Sequence, residues 1–151
     1  MKWRFVEPQD YEWAIAASKE HHKESDWSEV EYNDVKAKRY FDVATTDPNY
    51  FAILIEKGDE RIGFMAGRIM EYSYSYETFA KELELYVDPK HRNGMAGIFM
   101  MKKFMDWAKM RGVREVLFEP RLSDVAIKKF DAMAKRLGME HFANAYRRKF
   151  V

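Results

Sequence analysis

The sequence predicts a single α/β domain over residues 1–151, and three observations carry that expectation. Alternating apolar and polar stretches are interspersed with stretches of helical spacing, in the order β-α-α-β-β-β-α-β-α-β. Two of the strand-like runs, Phe51–Ile55 and Arg61 to about Met70, flank Lys57-Gly58-Asp59-Glu60, a turn that joins them as a hairpin. Finally, Glu82–Gly112 passes directly from an alternating strand through a basic, glycine-bearing loop into an amphipathic helix.

Each element has a local reason. Lys2 to Val6 reads as a short strand stopped by Pro8. Asp10 can cap a helix from about Tyr11 to Lys23, in which Ala14, Ala16 and Ala17 favour helix. His22 to Ser28 is polar apart from Trp27 and reads as a loop. Asn33-Asp34 start a second helix through Tyr40, Phe41 and Val43, which ends before Asp47-Pro48. After the hairpin, Tyr72, Tyr74 and Tyr76 alternate with Ser73 and Ser75. At period two the tyrosines share one face, which reads as an aromatic ladder packed on a neighbour or as an acceptor groove or homodimer edge. Val113 to Phe118 is a strand broken by Pro120. Ser123-Asp124 begin a helix that turns Ala126, Phe130, Met133, Ala134 and Leu137 inward and stops at Gly138. Ala143 to Val151 reads as a last strand.

Composition narrows the function classes. Hydrophobic residues make up 47% of the chain and aromatic ones 16%, which describes a folded protein with a core. No apolar run approaches the roughly 18 residues needed to span a bilayer, and the N-terminus lacks the apolar stretch of a signal peptide. There is no cysteine, which excludes a disulfide framework, a thiol nucleophile and a thiolate metal site. A cytoplasmic protein is the default reading. With 26 basic and 25 acidic residues, overall charge gives no support to nucleic-acid binding. His21, His22, His91 and His141 contain no i, i+4 pair of the kind that binds metal on a helix, so no metal is expected.

The chemistry concentrates in the strand–loop–helix unit. In the helix from Gly94 to Arg111, Ile98, Met101, Met105 and Ala108 fall on one side, and Phe99, Phe104 and Trp107 widen that apolar surface. Lys102, Lys103, Asp106 and Lys109 form the polar stripe of a helix lying flat on a sheet. Its start presents unpaired backbone N–H groups and the positive end of the helix dipole, which together make an anion site suited to phosphates. Gly94, Ala96 and Gly97 keep the first turn small enough for close approach, and Arg92 adds a cation with several donors.

The segment Val87-Asp88-Pro89-Lys90-His91-Arg92-Asn93-Gly94-Met95-Ala96-Gly97 resembles the acetyl-coenzyme A loop of the GNAT family of N-acetyltransferases. There a V-x-P-x-x-R-G-x-G-x-G-like stretch cradles the cofactor's pyrophosphate. The order of elements is similar throughout, as are the closing Arg136-Leu137-Gly138-Met139 and Ala145-Tyr146-Arg147-Arg148-Lys149. The resemblance implies a GNAT-like mixed sheet and transfer of acetyl from acetyl-CoA to an amine of a small molecule or protein. It implies that Leu85, Tyr86 and Val87 lend backbone groups to the pantetheine arm, and that Arg92, Asn93, Gly94, Met95, Ala96 and Gly97 hold the pyrophosphate. Asn93 and Met95 stand where many members have glycine, a variant that resembles small phage-encoded acetyltransferases.

Direct attack on the thioester follows from the lack of cysteine, and the attacking amine must lose a proton, which a carboxylate can take. Glu82, Glu84 and Tyr86 alternate with Leu83, Leu85 and Val87. The family commonly carries an acidic residue on this strand near the thioester, which makes Glu84 the first candidate base and Glu82 the second. The family's frequent tyrosine acid aligns with Ala134 and its frequent asparagine with Ile127, so Tyr146 on the last strand is the replacement candidate. Those two departures motivate an alternative, a GNAT-fold protein without catalysis that binds acyl-CoA or a partner protein. The acceptor groove is expected around His21, His22, Trp27 and Tyr72 to Tyr76, and the sequence leaves the acceptor open.

Overall fold

The computed structural model describes residues 1–120, 124–143 and 145–150, with Asp124 and Val125 by their backbone alone. Strand β1 (Lys2–Phe5) leads into helices α1 (Tyr11–Glu24) and α2 (Asp34–Ala44), then strands β2 (Tyr50–Lys57), β3 (Glu60–Glu71) and β4 (Thr78–Val87). Helix α3 (Ala96–Met110), strand β5 (Val116–Leu117) and helix α4 (Asp124–Arg136) complete the order. The strands form one sheet in the order β1-β2-β3-β4-β5, antiparallel except for the parallel β4–β5 pair. It is a mixed α/β sheet, as the sequence predicts. No helix among the described residues is long and apolar enough to cross a membrane.

Both faces of the sheet are covered, which is why Phe51–Ile55 is apolar at every position rather than alternating. Phe51, Ile53 and Ile55 pack with Met65, Met100 and Phe104 under α3, whereas Ala52 and Leu54 pack with Phe64, Tyr11 and Phe41 under α1 and α2. Asn33 caps α2 by accepting from Lys36 N–H at 2.9 Å. Gly58 (φ 61°) makes the β2–β3 turn, and Gly138 (φ 73°) follows α4. Gly67 serves a different purpose. A Cβ there would lie 2.5 Å from Phe104 Cε2 and 2.9 Å from the Lys81 carbonyl, so its absence lets α3 settle directly on β3.

The first end of the sheet is stapled by a buried carboxylate. Asp10 is fully buried and accepts from Arg4 (Nη2, 2.9 Å) and from Arg61 (Nη2, 2.8 Å; Nε, 3.1 Å), tying β1 and β3 to the start of α1. Burial alone would raise its pKa. The hydrogen bonds from Arg4, the Glu7 backbone and Arg61 outweigh burial and bring it down to about 2.

Three expectations fail for tertiary reasons. Tyr72 to Tyr76 do not extend β3: Tyr72 N–H pairs with the Glu77 carbonyl at 3.1 Å and closes a turn between β3 and β4. Tyr74 and Tyr76 project into solvent, while Tyr72 packs at a tilt against Phe79 and hydrogen-bonds Glu115, so no shared tyrosine face exists. Strand β5 spans only Val116–Leu117 rather than Val113 to Phe118, because Val113 is still engaged by the end of α3. The last strand over Ala143 to Val151 is not formed: 139–143 and 145–150 have no regular structure, and Asn144 and Val151 lie outside the described residues. That segment instead rests on the α1–α2 connection, with Arg147 donating to the Asp26 carbonyl (3.1 Å) and Lys149 paired with Glu29 (2.7 Å).

Candidate active site

The site opens where two parallel strands part. Strands β4 and β5 pair only at Ala80–Val116 and Lys81–Leu117, and beyond Lys81 that edge of β4 has no strand beside it. Immediately after, the β3–β4 register shifts: Gly67 faces Glu82, Ala66 faces Glu84, and Leu83 is the extra residue of a β-bulge. The bulge resets the alternation. Ala80 packs under α3, and so do Leu85 and Val87, an odd number of residues later. Leu83, expected on the apolar face with Leu85 and Val87, is instead 42% exposed. A cleft of about 280 Å³ occupies the fork, walled by α1, β4, the α1–α2 connection, Glu119-Pro120 and Phe130 of α4.

Both strand carboxylates line this cleft, in unlike surroundings. Glu84 accepts from Ser18 Oγ at 2.9 Å and pairs with His21 Nδ1 at 3.2 Å, both from α1. Ser18 and His21 are three residues apart and so present together from one helix face. Glu82 is only 9% exposed and has no Lys or Arg partner among the described residues. Burial pushes its carboxyl up to about 7; the charge of His21 and a hydrogen bond from the Glu119 backbone oppose the rise only in part. Burial alone would lower His21, but the hydrogen bond and charge of Glu84, helped by Glu82 and Glu24, raise it above the usual imidazole value.

The loop after β4 has the features of an anion cradle. Asp88 accepts from Lys90 N–H (2.9 Å) and starts a single 3-10 turn, Pro89–His91. The Gly94 N–H is taken by the His91 carbonyl (3.1 Å), but no described residue accepts from the N–H groups of Met95, Ala96 and Gly97 at the start of α3. A Cβ on Gly97 would meet nothing closer than Met133 Sδ at 3.7 Å, so the packing of the chain does not itself demand glycine there. Asn93 and Met95 are accommodated because no non-glycine residue has a positive φ. Arg92 is already engaged, with Nε on the Val87 carbonyl (2.9 Å) and Nη2 on Glu24 (2.8 Å). Asp88 N–H pairs with Ile62 of β3 (2.9 Å). By alternation the backbone of Tyr86 also turns toward β3, whereas Leu85 and Val87 turn theirs to the open edge.

The structure thus gathers Glu82, Glu84, His21, His22 and Trp27 around one cleft and sets the Arg92–Gly97 loop at the end of the same strand. Tyr72 and Tyr74 line a separate open depression with Glu77, Arg114 and Glu115, not the expected groove. Tyr146 is 98% exposed on chain without regular structure. Sequence reading missed Ser18, Tyr32, Glu119 and Phe130. Only the i, i+3 spacing of Ser18 and His21 could have pointed to the first.

Here two parallel strands part, with carboxylates at a bulge and a helix start whose first N–H groups have no acceptor among the described residues. The acetyltransferase (GNAT) family model matches residues 8–131, and the chain belongs to that family. No curated protein matches it in sequence. Among solved structures it is similar to a predicted acetyltransferase with acetyl-CoA from Clostridium acetobutylicum (TM-score 0.77, 15% identity, covering 98% of this chain and 95% of that one). It is also similar to an aminoglycoside antibiotic 6'-N-acetyltransferase from Acinetobacter haemolyticus (TM-score 0.74, 15% identity, 100% and 99% covered). Glucosamine-6-phosphate N-acetyltransferase from Arabidopsis thaliana gives a TM-score of 0.73 at 15% identity, with 99% and 98% covered. At such identities the likeness is one of fold.

Proposed function

We propose that the protein moves acetyl from acetyl-CoA to a primary amine by direct attack, without a covalent enzyme intermediate. The observation that carries this reading is the fork itself: two carboxylates at the β4 bulge, on the strand that runs into a helix start whose first N–H groups have no acceptor among the described residues. The free N–H groups of Met95, Ala96 and Gly97, with Arg92, suit the pyrophosphate. The open-edge backbone groups of Leu85 and the N–H of Val87, whose carbonyl is taken by Arg92, suit the amide-bearing arm that must lie between the loop and the cleft. Bound there, acetyl-CoA supplies an activated acyl carbon; the chain's own residues handle the protons.

Of the two carboxylates, Glu82 is the base. Its pKa of about 7 lets it accept a proton at neutral pH and still be ionised enough to do so. Glu84, the first candidate from sequence, is held by Ser18 and His21 and serves to position them. The acceptor enters from the α1–α2 side, past Trp27 and Tyr32.

Thermal unfolding with and without acetyl-CoA tests the binding half. Ligand at 100 times its dissociation constant adds ~2.7 kcal/mol, and no rise in Tm at millimolar acetyl-CoA rejects the reading.

A further inference from the structure

Resting on that reading, we infer that His21, held by Glu84, is the general acid that protonates the departing thiolate of CoA. By the resemblance, the position of the family's frequent tyrosine aligns with Ala134, and Tyr146 lies in solvent outside the sheet, so the leaving group needs another donor. Donors around the cleft can be taken in turn. The Ser18 hydroxyl is committed to Glu84 at 2.9 Å. His22 Nε2 is committed to the Val30 carbonyl at 2.6 Å, and the Tyr32 hydroxyl points to the Ile15 carbonyl at 3.4 Å.

His21 differs from these. Its Nδ1 is on Glu84, and its Nε2 has no partner among the described residues while the ring lines the cleft. A carboxylate on one imidazole nitrogen fixes the ring's orientation and favours its charged form, leaving the second nitrogen to exchange protons with a ligand. The groups facing it are Glu84 and Glu82 from β4, the Tyr86 ring, and Glu24 on its own helix, so every formal charge among these is negative.

The step balances. The amine nitrogen forms its bond to the acyl carbon, and the C–S bond breaks with its electron pair going to sulfur. The amine's proton goes to the Glu82 carboxylate, and the proton on His21 Nε2 goes to the thiolate. Exchange with water then removes the proton from Glu82 and restores the one on His21.

The test compares two acyl donors, acetyl-CoA and S-acetylthiophenol, whose thiol is far more acidic and needs no acid. Acceptors are hydroxylamine and a set of simple primary amines. His21→Gln is expected to lower kcat with acetyl-CoA about 100-fold, yet to lower kcat/KM with the aryl thioester less than about fivefold. Glu84→Gln withdraws the charge that favours imidazolium, so the alkaline fall of kcat should move to lower pH in that variant. Equal losses with both donors overturn the assignment, as does an unchanged kcat with acetyl-CoA or an unmoved alkaline limb. A wild-type protein that binds acetyl-CoA but acetylates no amine overturns the transferase reading, and this proposal with it.

Discussion

Two carboxyl groups are buried among the described residues, and they behave in opposite ways. Asp10 lies under the β1 end of the sheet between two guanidinium groups and is held at about 2. Glu82 lies at the β4 bulge with one backbone donor and the charge of a histidine, and is pushed up to about 7. Burial disfavours both carboxylates. The difference is the partner set: Arg4 and Arg61 solvate Asp10 in place of water, and no arginine or lysine among the described residues does so for Glu82. One is a staple that stays ionised; the other can gain and lose a proton at neutral pH.

Breaking the staple should have the largest effect. Asp10→Asn takes the shared carboxylate from Arg61 and leaves Arg4 with Glu56, and since both arginines are a third exposed the expected loss is about 3 kcal/mol, at the low end for a broken buried pair. Urea unfolding at pH 7 measures it, and a loss below about 1 kcal/mol would mean that water already screens the cluster.

Glu82→Gln should act in the other direction on stability. A carboxyl whose pKa is raised by folding stabilises the fold at low pH and loses that contribution as pH climbs from about 4.5 to about 7. The glutamine variant should therefore be more stable than wild type at pH 8, by roughly 3 kcal/mol, and no more stable below pH ~4.5. Its kcat should fall by about 100-fold or more. A variant equally stable at both pH values, or fully active, would place the base elsewhere. Asp10 tilts the same curve oppositely: its contribution is present above its unfolded pKa near 3.8 and is lost as pH falls toward 2.

A smaller effect separates binding from folding. Gly97→Ala adds a methyl group that the surrounding chain can accept at ordinary contact distance, so Tm should hardly move. The same methyl group sits where a pyrophosphate must approach the backbone, so the acetyl-CoA Kd should rise about tenfold, ~1.4 kcal/mol. An unchanged Kd from calorimetry would show that the phosphates lie elsewhere.

Much of this was legible in the residues. The unbroken apolar run Phe51–Ile55, the Asn33 cap, the turn at Gly58 and the amphipathic spacing of α3 each depend on neighbours a few positions away, and each forms where those neighbours indicate. The loop that opens α3 was readable for the same reason, since a proline, a basic run and small residues at a helix start are contiguous. The unlike surroundings of Glu82 and Glu84 were not. They turn on the bulge at Leu83, on Ser18 and His21 arriving from α1, and on the Glu119 backbone arriving from beyond β5. Tyr72 to Tyr76 misled because alternation is necessary for a strand but pairing is what makes one, and here the turn to Glu77 removes the partner.

By itself the sequence determined the α/β order up to α4, the covered sheet and the loop that opens α3, because periodicity, caps and turns are local properties of the chain. Only the tertiary structure decided where β4 and β5 part, which carboxylate is buried without a lysine or arginine partner among the described residues, and that Arg147 and Lys149 reach the α1–α2 connection instead of joining the sheet. Those outcomes rest on desolvation and on hydrogen bonds between segments far apart in the chain, which no local pattern records.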